Sequence, residues 1–140
     1  MKAFHFSLEK VLDHRVTVEQ EAKRAYAEKQ KAVIQKEQVL TQMINEKTAL
    51  MDVNEMTIGR MQVQHRYLTA LESAIHEMYQ QVRQLSQEVE AALTVVVQAQ
   101  QERKVVEKLR EKKLEEYNYQ LLQEEQKQLD EMGSRSLAIS

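Results

Sequence analysis

The sequence predicts an all-α protein: a long two-helix antiparallel coiled-coil hairpin with a projecting C-terminal helical tip. Three observations lead there. The 140 residues include no proline and two glycines, Gly59 and Gly133, so few turns can be built from the residue types that turns require. Charged residues make up 30% and aromatics 5% of the chain, the balance of long helices rather than of a layered globular core. Apolar side chains, 42% of the total, recur at spacings of three and four, which separates the chain from a uniformly polar, disordered one.

The first helix is expected over residues 4–55. Its apolar positions are Phe4, Leu8, Val11, Val18, Ala22 and Ala25, after which the stripe shifts by one residue and runs through Val33, Leu40, Ile44 and Met51 toward Ile58 and Met61. Val11, Ala22, Val33 and Ile44 are eleven apart. That interval is near 3.67 residues per turn and predicts a helix that is straight or wraps slightly to the right.

The second helix is expected over residues 61–132 and is more regular. Leu68, Leu71, Ile75, Met78, Val82, Leu85, Val89, Ala92, Val96 and Ala99 keep a strict three-four alternation, long enough to define a coiled-coil seam. Beyond Ala99 the same frame reads Arg103, Val106, Arg110 and Lys113, and the seam loses its apolar character. Between the helices, "DVNEMTIGRMQ" gathers Asn54, Thr57 and Gly59, so a turn is placed within 52–61. The alternative is one unbroken rod in a parallel dimer, because a single glycine costs a helix only about 1 kcal/mol. Gly133 is expected to stop the second helix and leave 133–140 as a disordered tail. The chain is thus expected to form a single coiled-coil domain over 1–140.

Hairpin geometry gives the C-terminal end its interest. With the turn near residue 58, Phe4 falls opposite residue 112, and everything from Lys113 to Met132 extends past the partner helix by roughly 30 Å. Leu114, Tyr117, Leu121, Leu122, Leu129 and Met132 then have no face of their own chain to cover them, which points to an external partner. Charge is segmented over the same stretch. Arg103, Lys104, Lys108, Arg110, Lys112 and Lys113 are followed by Glu115, Glu116, Glu124, Glu125, Asp130 and Glu131. Either this is a solvated helix with local pairs such as Lys112–Glu116, or it is a charge code that orients the tip inside a partner's opening.

Several classes of function find no support. There is no phosphate-binding GxxxxGK[ST] and no HExxH. His65 and His76 could share a helix face but read as solvated side chains, and His5 and His14 have no ligand partner at useful spacing. Without cysteine there are no disulfides or thiolate zinc sites, which fits a reducing cytoplasm. The longest apolar run, "TVVV", is far too short to span a bilayer, and "MKAFHF" has no signal-peptide character. A net charge of −2 gives no drive toward nucleic acid. The expectation is a non-enzyme without cofactor or metal.

Two stretches resemble a known family. "FHFSLEKVLDHR" (residues 4–15) and "EKLREKKLEEY…EEQKQLDEM" (107–132) resemble the two ends of the FliJ family of flagellar export proteins, and "YLTALESAI" (67–75) fits its middle. The resemblance implies a central-stalk-like coiled coil of the flagellar type III export apparatus. Its partners would be the hexameric export ATPase, the cytoplasmic part of the export-gate membrane protein and the flagellar export chaperones. It also implies a cytoplasmic protein peripherally associated with the inner-membrane apparatus at the flagellar base, with no direct membrane insertion and no nucleic acid. For the ATPase contact, Leu114, Tyr117 and Leu121 are expected as apolar anchors, with Arg110 and Lys113 as flanking charges. For the gate contact the family's pattern falls on Tyr67, Leu71, Ala74 and Met78, with Met43, Glu46 and Leu50 on the first helix. Leu71 and Met78 are also seam positions. Alternatives are a stalk subunit of another type III secretion or rotary ATPase, and a generic homodimeric coiled-coil scaffold.

Overall fold

A computed structural model describes residues 2–53 and 57–139. Two helices account for nearly all of them, α1 (Glu9–Met51) and α2 (Ile58–Ile139), and there is no strand among the described residues. The helices are antiparallel. Lys47 pairs with Glu72 at 3.3 Å and Lys29 with Glu88 at 3.1 Å, so residue numbers fall along α1 as they rise along α2. Lys29–Glu88 lies one residue away from the register expected of a turn near residue 58.

Local chemistry explains where the helices break. The Thr57 hydroxyl accepts the Arg60 amide at 3.3 Å, and the first α-helical bond runs from the Met61 amide to the Thr57 carbonyl at 3.0 Å. Thr57 is therefore the N-cap of α2, satisfying a donor that the first turn leaves orphaned. On the other side, the Gln64 side-chain amide donates to the carbonyls of Leu50 at 2.5 Å and Val53 at 3.2 Å. One side chain from α2 thus closes the open carbonyl end of α1. α2 begins inside the expected turn window of 52–61, α1 ends at Met51, one residue before it and short of the expected residue 55, and Asn54 lies outside the described residues.

The outer ends differ from expectation. α1 begins at Glu9 rather than residue 4. Residues 2–6 are non-helical, and the Glu9 amide donates to the Phe6 carbonyl at 3.2 Å. α2 does not stop at Gly133 but continues to Ile139. No glycine has positive φ, so Gly133 is not in the left-handed conformation of a helix-terminating residue. Its cost in a helix is about 1 kcal/mol, too little to end one flanked by good helix formers.

Two compact units divide the chain, one of Met1–Glu19 with Gln98–Ser140 and one of Gln20–Val97. In the second unit the core is Leu40, Leu71 and Ile75, with Met43, Ile44, Leu50, Met78 and Val82 packed against it. In the first, Phe6, Ala99 and Val106 are buried together with one acid, Glu19. All ten seam positions expected on α2, from Leu68 to Ala99, are buried or half-buried. A helix pair has only one seam to bury, and no described side chain is completely enclosed.

The inner face of α1 corrects the eleven-residue reading. Its buried and half-buried positions include Leu12, Arg15, Glu19, Ala22, Tyr26, Val33, Leu40, Met43, Lys47 and Leu50. These keep the same three-four frame as α2. Leu8, Val11, Met51, Ile58 and Met61, all assigned to the stripe, are exposed. The frame was hidden because charged residues occupy it. Arg15 and Lys47 hold their places through ion pairs with Glu102 and Glu72, and Glu19 does so through Arg103.

Candidate partner-binding surfaces

Basic residues in the α2 frame have acidic partners within the chain. Arg103 donates to Glu19 and lies 2.6 Å from Glu107 one turn along its own helix. The hydrogen bond to Glu19, then that to Glu107, raises the Arg103 pKa above its ordinary value. Arg110 donates to Glu9 at 3.0 Å. Lys113 lies 3.7 Å from Glu116, the acid that the sequence had offered to Lys112. The seam therefore does not end at Ala99. It passes through Arg103, the buried Val106 and Arg110, with ion pairs where apolar contacts would otherwise be.

The N-terminal segment then reaches one of the expected anchors. The Phe4 and Tyr117 rings lie 5.5 Å apart, tilted by 57°, and the Arg110 guanidinium carbon is 5.5 Å from the centre of the Phe4 ring. The Tyr117 hydroxyl donates to the Lys2 carbonyl at 2.7 Å. Tyr117 thus has a partner in its own chain, contrary to the expectation that its face is uncovered. Non-helical backbone advances further per residue than the 1.5 Å of a helix, which carries Phe4 to Tyr117 rather than to residue 112. Leu114 and Leu121 are likewise half-buried.

Exposure is instead concentrated on other side chains of the tip. Leu122 is 64%, Leu129 61% and Met132 65% exposed. Leu122 and Leu129 are seven residues apart, and Met132 is three further on, so they form one face. Glu125 falls on that face by helical spacing and Asp130 toward one side of it. Sequence reasoning noted these three apolar residues but ranked Leu114, Tyr117 and Leu121 above them. The sevenfold spacing of Leu122 and Leu129 was the available signal.

Near the turn, the expected gate cluster separates into two groups. Leu71 is part of the buried core, and Met43, Leu50 and Met78 pack on it; Ala74 is half-buried. Of the expected cluster, Glu46 and Tyr67 are the exposed members, Tyr67 at 47%. Its hydroxyl donates to Glu46, and that bond, reinforced by the carboxylate's charge, raises the Tyr67 pKa. Tyr67 borders a shallow hollow of about 510 Å³ with Leu50, Val53, Arg60, Val63 and Gln64. Val53 and Val63 in this lining are strongly exposed.

The histidines fall outside both surfaces as ligands. His76 lies 3.2 Å from the Gln80 amide nitrogen, and among the described residues no group of three His, Cys, Asp or Glu side chains could hold a metal. No helix among them is long and apolar enough to cross a membrane.

A family model described as Flagellar FliJ protein matches residues 4–138. The chain belongs to the FliJ family. The match spans the non-helical N-terminal segment, both helices and the tip, so the flagellar export apparatus is the setting in which the FliJ fold and its surfaces are to be read. No curated relative and no solved structure matches the chain.

Proposed function

We propose that this chain is a non-catalytic, stalk-like subunit of the flagellar type III export apparatus, located in the cytoplasm at the flagellar base. In this reading the C-terminal part of α2 binds the hexameric export ATPase and promotes its assembly and activity. The Tyr67 end meets the cytoplasmic part of the export-gate membrane protein, and the chain also engages export chaperones. The observation that carries the ATPase contact is the face of Leu122, Leu129 and Met132, each more than 60% exposed on a helix. Large exposed apolar side chains at regular spacing suit a helix-in-groove contact. The acids around them supply orientation and on-rate against a basic opening.

Family membership supports the export setting, and the burial pattern decides which residues to test within it. Leu71, Met78, Met43 and Leu50 are needed by the core, so the gate contact is best sought at Tyr67 and the hollow beside it. Replacing Leu122, Leu129 and Met132 together with serine should leave the melting temperature unchanged. It should also abolish stimulation of the purified export ATPase and reduce motility in a strain carrying the variant. Normal ATPase stimulation by the triple variant would remove the tip from the contact.

A further inference from the structure

Residues 2–5 lie across the side of α2 that holds Tyr117, and little fixes them there. Phe4 is half-buried, while Lys2, Ala3 and His5 are exposed. Their recorded ties are the Phe4 ring against Tyr117 and Arg110, and the Lys2 carbonyl on the Tyr117 hydroxyl. Phe6, by contrast, is 5% exposed, and its carbonyl is fixed by the Glu9 amide. The segment is therefore anchored at one end and draped at the other.

An open crevice of about 490 Å³ runs beside the segment and α2, lined among others by Lys2, His5, Lys113, Glu116, Tyr117 and Gln120. Segments with few buried contacts open at low free energy. Of the charged groups lining this crevice, Lys113 is paired with Glu116 at 3.7 Å. Both functional parts of Tyr117, its ring and its hydroxyl, are occupied by the segment. A partner can use Tyr117 only after the segment has left.

We infer that residues 2–5 are a self-masking strap, closed over Tyr117 in the free protein and swung aside about Phe6 when the export ATPase takes the C-terminal part of α2. The inference rests on the ATPase contact proposed above and adds its regulation. A binding-competent state that is only fractionally populated weakens apparent affinity by that fraction. Loosening the strap with Phe4→Ala should accordingly tighten ATPase binding, by roughly three- to tenfold for a strap that is mostly closed.

The test uses the full chain, which has no cysteine of its own. Nitroxide labels on Ala3→Cys and Gln120→Cys, both at exposed positions beside the crevice, report the strap directly. In the free protein a single short distance is expected, lengthening and broadening when Phe4→Ala is added. With purified export ATPase the short population should fall. An unchanged distance in the Phe4→Ala protein would overturn the strap, as would a complex that forms while the short distance persists. If no variant forms a complex, the proposed ATPase contact fails and displacement fails with it; the free-protein distances then report on closure alone, so the two failures are distinguishable.

Discussion

Arg103 on α2 donates to Glu19 on α1, and Glu19, at 4% exposure, is more buried than any apolar core residue. A carboxylate is expensive to dehydrate unless it is paired and hydrogen-bonded. Here the cationic partner stands in a seam position and binds a second acid, Glu107. The pair specifies register, because sliding the helices by one turn would leave Glu19 buried without its partner.

A double-mutant cycle should expose that dependence. Glu19→Leu and Arg103→Leu should each lower the melting temperature, the second because it removes the cation that donates to the buried acid. Combining them should recover most of the loss, since leucines of similar volume pack in a seam without a dehydration cost. Thermal melts by circular dichroism give all four corners. A double variant that melts below both single variants would show that the pair is no register element.

Core and surface should respond on different scales. Ile75→Ala removes a buried side chain from the Leu40–Leu71–Ile75 cluster and should cost about 2–5 kcal/mol in urea unfolding. Glu88→Ala breaks an ion pair whose two side chains are 38% and 47% exposed, worth about 0.2–1 kcal/mol. Equal losses from the two would contradict the seam.

Gly133 offers a gain. It lies within α2 without positive φ, and a Cβ added there meets nothing within 4 Å. Gly133→Ala should stabilise the end of the tip by about 1 kcal/mol. The measurement is slower amide exchange over the residues around 133, and unchanged exchange would mean that the helix does not persist there in solution.

The Tyr67–Glu46 bond predicts an alkaline effect. Glu46 raises the Tyr67 pKa, so the folded protein holds the phenolic proton more tightly than the unfolded chain does. The bond's contribution is complete below the ordinary tyrosine pKa of about 10 and is lost as pH rises through the higher folded value. Glu46→Gln should move the Tyr67 transition to lower pH, read by absorbance of the tyrosinate in a variant whose other tyrosines are phenylalanine. A transition that stays in place would remove Glu46 as its cause.

Much of the fold was legible because apolar periodicity survives in any context. The α2 frame from Leu68 to Ala99 could be read directly, and Thr57 and Gly59 marked the break. The α1 frame could not be read as easily. Arg15, Glu19 and Lys47 look like surface residues until their partners on α2 are known, and a partner is a property of the pair, not of the helix. Arg103 and Arg110 were misread for the same reason, as a seam losing its character instead of one changing its chemistry. At the site, Leu122, Leu129 and Met132 were visible as uncovered residues. The cover on Tyr117 was not, because it depends on Phe4 standing in non-helical backbone.

The antiparallel pairing also sets an order of assembly. Gln64 and the Leu50 carbonyl are 14 residues apart in sequence, Lys29 and Glu88 are 59 apart, Arg110 and Glu9 are 101, and Tyr117 and Lys2 are 115. Closing the longest of these loops costs about 2 kcal/mol more than closing the shortest. Pairing should therefore begin beside the turn and zip outward, with the Lys2–Tyr117 contact forming last and fraying first. During synthesis α1 leaves the ribosome before α2 does, so its apolar face waits, unpaired, for α2 to emerge.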